Sequence, residues 1–286
     1  MSKLSEPLKA LINAGFARPG PAPAPSGIRS LFERIAKDSA SKDVATPCWL
    51  TIATATSMTM NSPASMKELY DVATTLDDGN QATGAVETAE LMREVGLKCI
   101  GFNGIPRSIN CLGAFRSSLP EDVVSRLSTE PTRTPSPSNI KAMRKRGFAL
   151  WTEIYRPFDD KLLDKLAASH PDLPVHIINS HYSALFTDPP AKQTPRVGRT
   201  LTSLVGISCL RAQTGVGPQV LSHVFGLRKA FDEVGVKTNA EADVPGARWL
   251  AGEEGNFWIL ETVDAIVKEI GEGEGTTYAP GLRAKL

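Results

Sequence analysis

Residues 200–231, TLTSLVGISCLRAQTGVGPQVLSHVFGLRKAF, limit most strongly what this chain can fold into. Apolar side chains run through 200–212 and again through 218–231, and the residues Thr-Gly-Val-Gly-Pro separate the two runs. Glycine ends helices, and proline is favoured in the first turn of the next one. The pattern predicts a helical hairpin whose second helix carries His223 on an otherwise apolar face.

A second stretch, residues 89–116, has the same helix–Gly/Pro–helix plan in the sequence AELMREVGLKCIGFNGIPRSINCLGAFR. When Pro106 is aligned with Pro218, Cys111 occupies the position of His223, although a register shifted by two residues aligns nearly as well. Two such hairpins predict a duplicated helical domain with a buried polar site.

Helical periodicity extends through most of the chain. Ile28, Leu31, Phe32 and Ile35 follow the i, i+3, i+4, i+7 spacing of one buried helix face. Alternating patterns bounded by tight turns, which would indicate strands, are hard to find. We therefore expect an all-α fold of two pseudo-repeated halves packed as one unit. Further amphipathic helices are predicted over residues 82–100, 140–155, 159–169 and 257–270.

Proline-rich stretches set the predicted organisation. Residues 129–138, TEPTRTPSPS, form the clearest linker between two halves. The predicted parts are an N-terminal helix, Pro-rich arm and first helix over 1–44, a first helical repeat over 45–128, the linker over 129–138, a second repeat over 139–236, and a C-terminal helix and tail over 237–286.

Composition excludes several classes of partner. The chain of 286 residues has 32 basic and 31 acidic side chains, so neither nucleic acid nor an anionic membrane surface is an expected partner. Its apolar runs stop well short of the ~20 residues of a membrane-spanning helix. The N-terminal 16 residues lack the features of a secretory signal.

The four cysteines point to a reducing compartment. They lie far apart, each within an apolar segment, which is typical of reduced cysteines in an intracellular protein. The cytosol is therefore the expected location. Because the N-terminal segment is mildly amphipathic and basic, the mitochondrion is the alternative, although Glu6 and the lack of arginine there argue against it.

The first hairpin, residues 150–185 (LWTEIYRPFDDKLLDKLAASHPDLPVHIINSHYSAL) and the second hairpin together resemble the carboxymuconolactone decarboxylase and alkyl hydroperoxidase D superfamily, here called AhpD-like. The likeness covers residues 45–231 and is most specific to the fungal AhpD-like proteins. The resemblance implies an all-helical fold whose core hairpin lines a pocket for a small substrate. It also implies a homo-oligomer that needs no cofactor.

This sequence departs from the redox motif of that superfamily, E-x11-C-x2-C-x3-H. With His223 at the final position, Gln219 and Val216 replace the cysteines and Leu204 replaces the glutamate. The first repeat keeps Glu94 but lacks the cysteines and the histidine. The decarboxylase branch needs no cysteine pair and retains a histidine near this position, so its chemistry is the better expectation.

The candidate catalytic residues are His223, Glu94, Cys111 and Cys99. The imidazole of His223 titrates near neutral pH, which suits a general acid or base acting on a small carboxylated or carbonyl substrate. A glutamate in an apolar helix needs a basic partner, for which Arg93, Arg107 and Arg211 are the candidates. The predicted substrate-binding residues are Gln219, Arg211 and Arg228.

Two other functions stay open at this point. Cys99 and Cys111 flank the break of the first hairpin, so a thiol peroxidase activity is possible if the two arms bring them together. The incomplete motif also fits a non-enzymatic, oligomeric helical scaffold. No metal site is expected, because His176 and His181 are five residues apart and would lie about 140° apart on an α-helix.

Overall fold

The structure, a computed structural model, describes residues 4–75, 84–190, 197–232, 244–276 and 278. All regular secondary structure in these ranges is helical, which confirms the predicted all-α class. A 3₁₀ turn spans Gly15–Ala17 and a π-helix spans Ile177–Phe186. The α-helices are α1 (Glu6–Ile12), α2 (Ile28–Ala40), α3 (Thr46–Thr59), α4 (Pro63–Thr75), α5 (Ala85–Lys98), α6 (Ile100–Asn103), α7 (Ile105–Ser118), α8 (Glu121–Val124), α9 (Ile140–Tyr155), α10 (Asp159–Ser169), α11 (Asp172–His176), α12 (Gly198–Gln213), α13 (Gly217–Asp232), α14 (Ala247–Leu250) and α15 (Glu253–Ile270).

Helices α3 and α12 form the centre of the molecule. Both are buried along nearly their whole length, and they pack against each other and against α15. Apart from Arg199, Arg211 and Gln213 of α12, their side chains are apolar or carry small hydroxyl groups, as expected for helices largely surrounded by protein. The predicted apolar helix of the second hairpin is therefore a core helix.

One hydrophobic core joins the two predicted halves. Its buried side chains extend from Ile28 on α2, through α3 to α7 and α12, to Ile270 on α15. A smaller cluster lies between α9 and the π-helix, and Trp151, Tyr182 and Phe186 belong to it. Helices α2 and α15 thus share this core, whereas α1 has no buried residue.

Both hairpins have the predicted break, with different geometry. Between α12 and α13, Thr214 and Gly215 adopt φ values of 63° and 72°. The first hairpin contains the additional short helix α6, and Gly104, with a φ of 79°, turns the chain into α7. These left-handed conformations favour glycine and explain the break residues. The duplication itself stays a prediction.

The proline-rich segments pack on the body of the protein. The hydroxyl of Ser62 donates to the carbonyls of Ala22 and Pro23 at 3.1 and 3.2 Å, which fastens the N-terminal arm to the start of α4. In the linker region, the backbone amide of Ser128 donates to Glu90 of α5 at 2.5 Å. Both segments are therefore anchored by hydrogen bonds.

The π-helix changes the geometry of the histidine pair. A π-helix forms i to i+5 hydrogen bonds, so residues five apart lie on the same side of it. The rings of His176 and His181 lie 5.1 Å apart, and the predicted separation around an α-helix was wrong for this reason. Among the described residues, no group of three or more metal-binding side chains accompanies this pair.

Candidate functional site

His223 lies on α13, where its ring packs against Gly206 of α12. A methyl group at Gly206 would be 2.5 Å from Nδ1, so only glycine allows the imidazole this position. The rings of Phe102 and Tyr155 have their centres 5.7 and 6.4 Å away and meet the imidazole edge-on. Burial, together with the positive charge of Arg199, lowers the pKa of His223 to about 4. The imidazole is therefore neutral at pH 7.

The ring nitrogens of His223 are not used by the fold. Within the described part of the chain, neither nitrogen forms a hydrogen bond or an ion pair. His223 is partly buried, and its nitrogens are not among the side-chain atoms that are shielded from solvent and lack a partner. The free nitrogens of His223 are thus available to a ligand.

Arg199 is the charged neighbour of His223, and the sequence prediction missed it. Its side chain is buried, donates to the Ser203 hydroxyl and to the Gly226 carbonyl (2.6 Å), and lies 3.4 Å from the Glu153 carboxylate. Arg199, Ser203 and Gly206 have i, i+4, i+7 spacing, which places them on one face of α12. An arginine on the same face as a glycine in an otherwise apolar helix was the signal available in the sequence.

Two tyrosines complete the surroundings of His223. The hydroxyl of Tyr182 donates to the hydroxyl of Tyr155 at 3.1 Å, and burial raises the pKa of both side chains. Both hydroxyls therefore stay protonated at neutral pH. Phe186 stacks on Phe102 with ring centres 5.2 Å apart. The site combines one neutral base, one buried cation and an aromatic wall.

The predicted substrate-binding residues have other surroundings. Arg211 forms a two-bond ion pair with Asp264 at 2.6 and 2.8 Å, and both side chains are about half exposed. Gln219 is exposed one turn before His223, and Arg228 has no ion pair with any described residue. Arg211 is half exposed and faces α15, whereas Arg199 is buried and its charge acts on the pKa of His223, so Arg199 is better placed to act on an anion near His223.

Glu94 belongs to a separate group of buried charges. Its carboxylate accepts two hydrogen bonds from Arg133 of the Pro-rich linker and lies 4.0 Å from Nζ of Lys98. Lys98 is fully buried, lies 2.9 Å from Asp188 and donates to the Phe186 carbonyl. We call these four side chains, Arg133, Glu94, Lys98 and Asp188, the buried ion chain.

The partner of Glu94 differs from the three candidates drawn from the sequence. Arg133 takes this role, whereas Arg93 pairs with Glu90, and Arg107 donates to the Thr59 carbonyl. Glu94 lines a cavity of about 700 Å³ between α5 and the linker. Its carboxylate is thus engaged in the ion chain.

The cysteines pair differently from the expectation. Sγ of Cys99 lies 3.5 Å from Sγ of Cys209 on α12, whereas Sγ of Cys111 lies 3.8 Å from the side-chain oxygen of Asn61. Burial raises the pKa of Cys99 well above its ordinary value and that of Cys111 to about 12. Since the thiolate is the nucleophile, neither thiol is activated for attack on a peroxide.

None of the described helices combines the length and the apolar character that crossing a bilayer requires.

The chain has a detectable relative among known proteins. Peroxisomal protein 2 of Saccharomyces cerevisiae is 25% identical over 230 residues, which cover 62% of this chain and 79% of the yeast protein. No family model matches the chain, and no solved structure matches it significantly. The chain is therefore similar to a yeast protein named for the peroxisome.

Proposed function

We propose that this protein is an AhpD-like enzyme of the carboxymuconolactone decarboxylase-like class that uses His223 as its general acid/base. The observation that carries the proposal is the neutral imidazole of His223, whose nitrogens have no partner in the described fold and which lies beside the buried cation Arg199. The resemblance of residues 45–231 to that superfamily supports the reaction class.

The surroundings favour proton transfer from carbon. The atoms of His223 nearest to Gly206 are Nδ1, Cε1 and Cγ, which leaves Nε2 for the substrate. A neutral imidazole takes a proton from a carbon next to a carbonyl or carboxyl group, and the positive charge of Arg199 stabilises the negative charge that develops. Tyr182 donates its hydroxyl hydrogen to Tyr155, so the protonated hydroxyl of Tyr155 is the donor that these two tyrosines offer to the same region.

Replacement of His223 by asparagine tests the proposal. Wild-type protein and the variant are assayed for turnover of carboxylated lactones and 2-oxo acids. Loss of a general base should lower kcat by roughly 10²- to 10⁴-fold while the helical circular dichroism spectrum is retained. His170→Asn, which changes an exposed histidine, is the matched control. A His223→Asn variant as active as the wild type would rule the proposal out.

The other two functions have less support. Thiol peroxidase activity requires thiolates, but burial raises the pKa values of Cys99 and Cys111. A scaffold without chemistry would surround His223 with apolar groups only, whereas Arg199, Tyr155 and Tyr182 lie nearby. Homo-oligomer formation stays a prediction from the family resemblance.

We infer that the protein acts in the peroxisome. The yeast relative carries that location in its name. In addition, residues 284–286 read Ala-Lys-Leu, which differs from the Ser-Lys-Leu peroxisomal address only by one small residue. These three residues lie outside the described part of the chain, and the address operates only where Leu286 carries the free carboxylate. The cytosol, which the cysteines predict, stays the alternative location.

Fluorescence microscopy in yeast tests this location. Residues 1–286 are fused behind a fluorescent protein, so that Leu286 stays at the C-terminus, and a peroxisomal marker is expressed in the same cells. The fusion should coincide with the marker, and deletion of residues 284–286 should spread it through the cytosol. Equal distributions of the two fusions would show that the tripeptide is not read.

A further inference from the structure

Arg199 also lines a small cavity of about 270 Å³. The cavity is bounded by α9, by residues 186–188 and by the first residues of α12. Its volume lies below the ~300–1,000 Å³ typical of sites for drug-sized ligands, so it suits a small molecule. Ala149, Leu150 and Phe186 supply its apolar surface.

The charges around this cavity leave one cation without a counter-ion. Asp188 is neutralised by Lys98 at 2.9 Å, and Glu153 is neutralised by Arg199 at 3.4 Å. Arg146 of α9 lines the same cavity but forms no hydrogen bond or ion pair with a described residue. Its Nε is shielded from solvent and has no acceptor. Among the described residues around the cavity, one positive charge is therefore uncompensated.

The start of α12 adds to the positive potential of the cavity. Gly198 and Arg199, the first two residues of this 16-residue helix, are part of the lining, and the backbone amides of a first turn have no partner within the helix. The Asp188 carboxylate accepts from the Gly198 amide at 2.7 Å, which satisfies only one of these donors.

We propose that this cavity binds a small monoanionic carboxylate through Arg146, with Arg199 at its inner side. The flat guanidinium fork of arginine matches the two oxygens of a carboxylate, and a single negative charge balances the cavity. The apolar part of the ligand contacts Ala149, Leu150 and Phe186. This site extends the proposed function. It rests on that proposal in one respect only, the assignment of the bound carboxylate to the substrate of His223.

Calorimetric titration with acetate, butyrate and benzoate tests the site in the full chain. At least one of these carboxylates should bind wild-type protein, whereas neutral benzamide should not. Arg146→Gln should weaken binding at least about tenfold, because a charge-assisted hydrogen bond is lost. Arg144→Gln, which changes an exposed arginine of the same helix, should leave affinity within about twofold, since that side chain is outside the cavity.

Other results would overturn the inference. They are absence of binding by all three carboxylates, equal binding of benzamide, tighter binding of inorganic phosphate than of any carboxylate, or unchanged affinity in Arg146→Gln. Thermal unfolding verifies that the variant is folded; if it is not, Arg146→Lys, which keeps the charge but loses the fork, should bind more weakly than the wild type.

The variant His223→Asn separates this inference from the proposed function. It should bind the carboxylate as the wild type does, because His223 does not line the cavity. If His223→Asn binds the carboxylate and also has normal turnover, the carboxylate site is supported and the role of His223 as general base is excluded. Loss of turnover in His223→Asn, with no carboxylate binding by the wild type, would support the general base and exclude the carboxylate site.

Discussion

The neighbours of His223 keep its imidazole neutral. Burial and Arg199 disfavour its charged form, so the ring is an acceptor across the whole physiological pH range. The glycine at position 206 makes room for the ring, and no described group competes for its nitrogens. A base kept neutral in this way acts without first losing a proton.

The depressed pKa of His223 predicts a specific pH dependence of stability. Its pKa falls from 6.5 in the unfolded chain to about 4 in the folded protein, so between these values the unfolded state binds more protons. Stability should therefore decrease as pH falls from 6.5 to 4, by at most about 3 kcal/mol from this residue. Denaturant unfolding of wild type and His223→Asn at several pH values measures the difference. Identical pH profiles for the two proteins would contradict the prediction.

The thiols allow a second prediction at the residue scale. Because burial raises the pKa of Cys111 to about 12 and that of Cys99 well above its ordinary value, both should resist alkylation and hydroperoxide in the native protein at pH 8. All four thiols should react once the protein is unfolded. Mass spectrometry after iodoacetamide treatment counts the modified cysteines, and rapid modification of the native protein would instead support thiol chemistry.

At the scale of elements, glycines decide how closely the helices around the site approach each other. A methyl group at Gly147 of α9 would lie 2.5 Å from the backbone of Ser183 in the π-helix. At Gly206 the nearest atoms belong to the ring of His223, which can rotate. The first contact therefore holds two backbones together, and the second positions a side chain.

This difference predicts opposite consequences for two similar substitutions. Gly147→Ala should lower the free energy of unfolding by about 3 kcal/mol, the upper end for overpacking, because a backbone must shift. Gly206→Ala should lower the free energy of unfolding less than Gly147→Ala does, but it should reduce turnover as His223→Asn does. Gly113→Ala, at an exposed helical position with free space, is the control and should be neutral or stabilising by up to about 1 kcal/mol. Urea unfolding and turnover assays measure both effects, and equal behaviour of all three variants would disprove the account.

At the scale of the whole molecule, the buried ion chain joins segments that are distant in sequence. Arg133 comes from the Pro-rich linker, Glu94 and Lys98 from α5, and Asp188 from the segment between the π-helix and α12. Lys98 is fully buried, so its charge depends on these partners. The buried ion chain thereby holds the linker and the start of α12 against the first half.

Removal of Lys98 should therefore affect the whole fold. Lys98→Met leaves Asp188 without its cation and should destabilise the protein by about 3–5 kcal/mol, and the double variant with Asp188→Asn should recover part of this loss. Arg126→Met, which breaks an exposed ion pair with Asp122, should change stability by less than about 1 kcal/mol. Similar losses for Lys98→Met and Arg126→Met would show that the buried ion chain has no special role.

The amino-acid sequence by itself determined the helical class and most of the helices. The observed bounds of α9 and α10, Ile140–Tyr155 and Asp159–Ser169, are those predicted from periodicity, and α12 and α13 form the predicted hairpin. Helix formation depends on residues three and four apart and on local Gly and Pro signals, which a sequence displays directly. His223 was likewise recognisable as a polar residue on an apolar face.

Only the tertiary structure decided the partners of these residues. It placed Arg199 beside His223, Arg133 beside Glu94 and Cys209 beside Cys99, and it formed the π-helix that aligns His176 with His181. Each of the first three contacts joins segments at least 24 residues apart, and they depend on how closely the helices pack. Local periodicity tells which face of a helix is buried, but not which helix covers it.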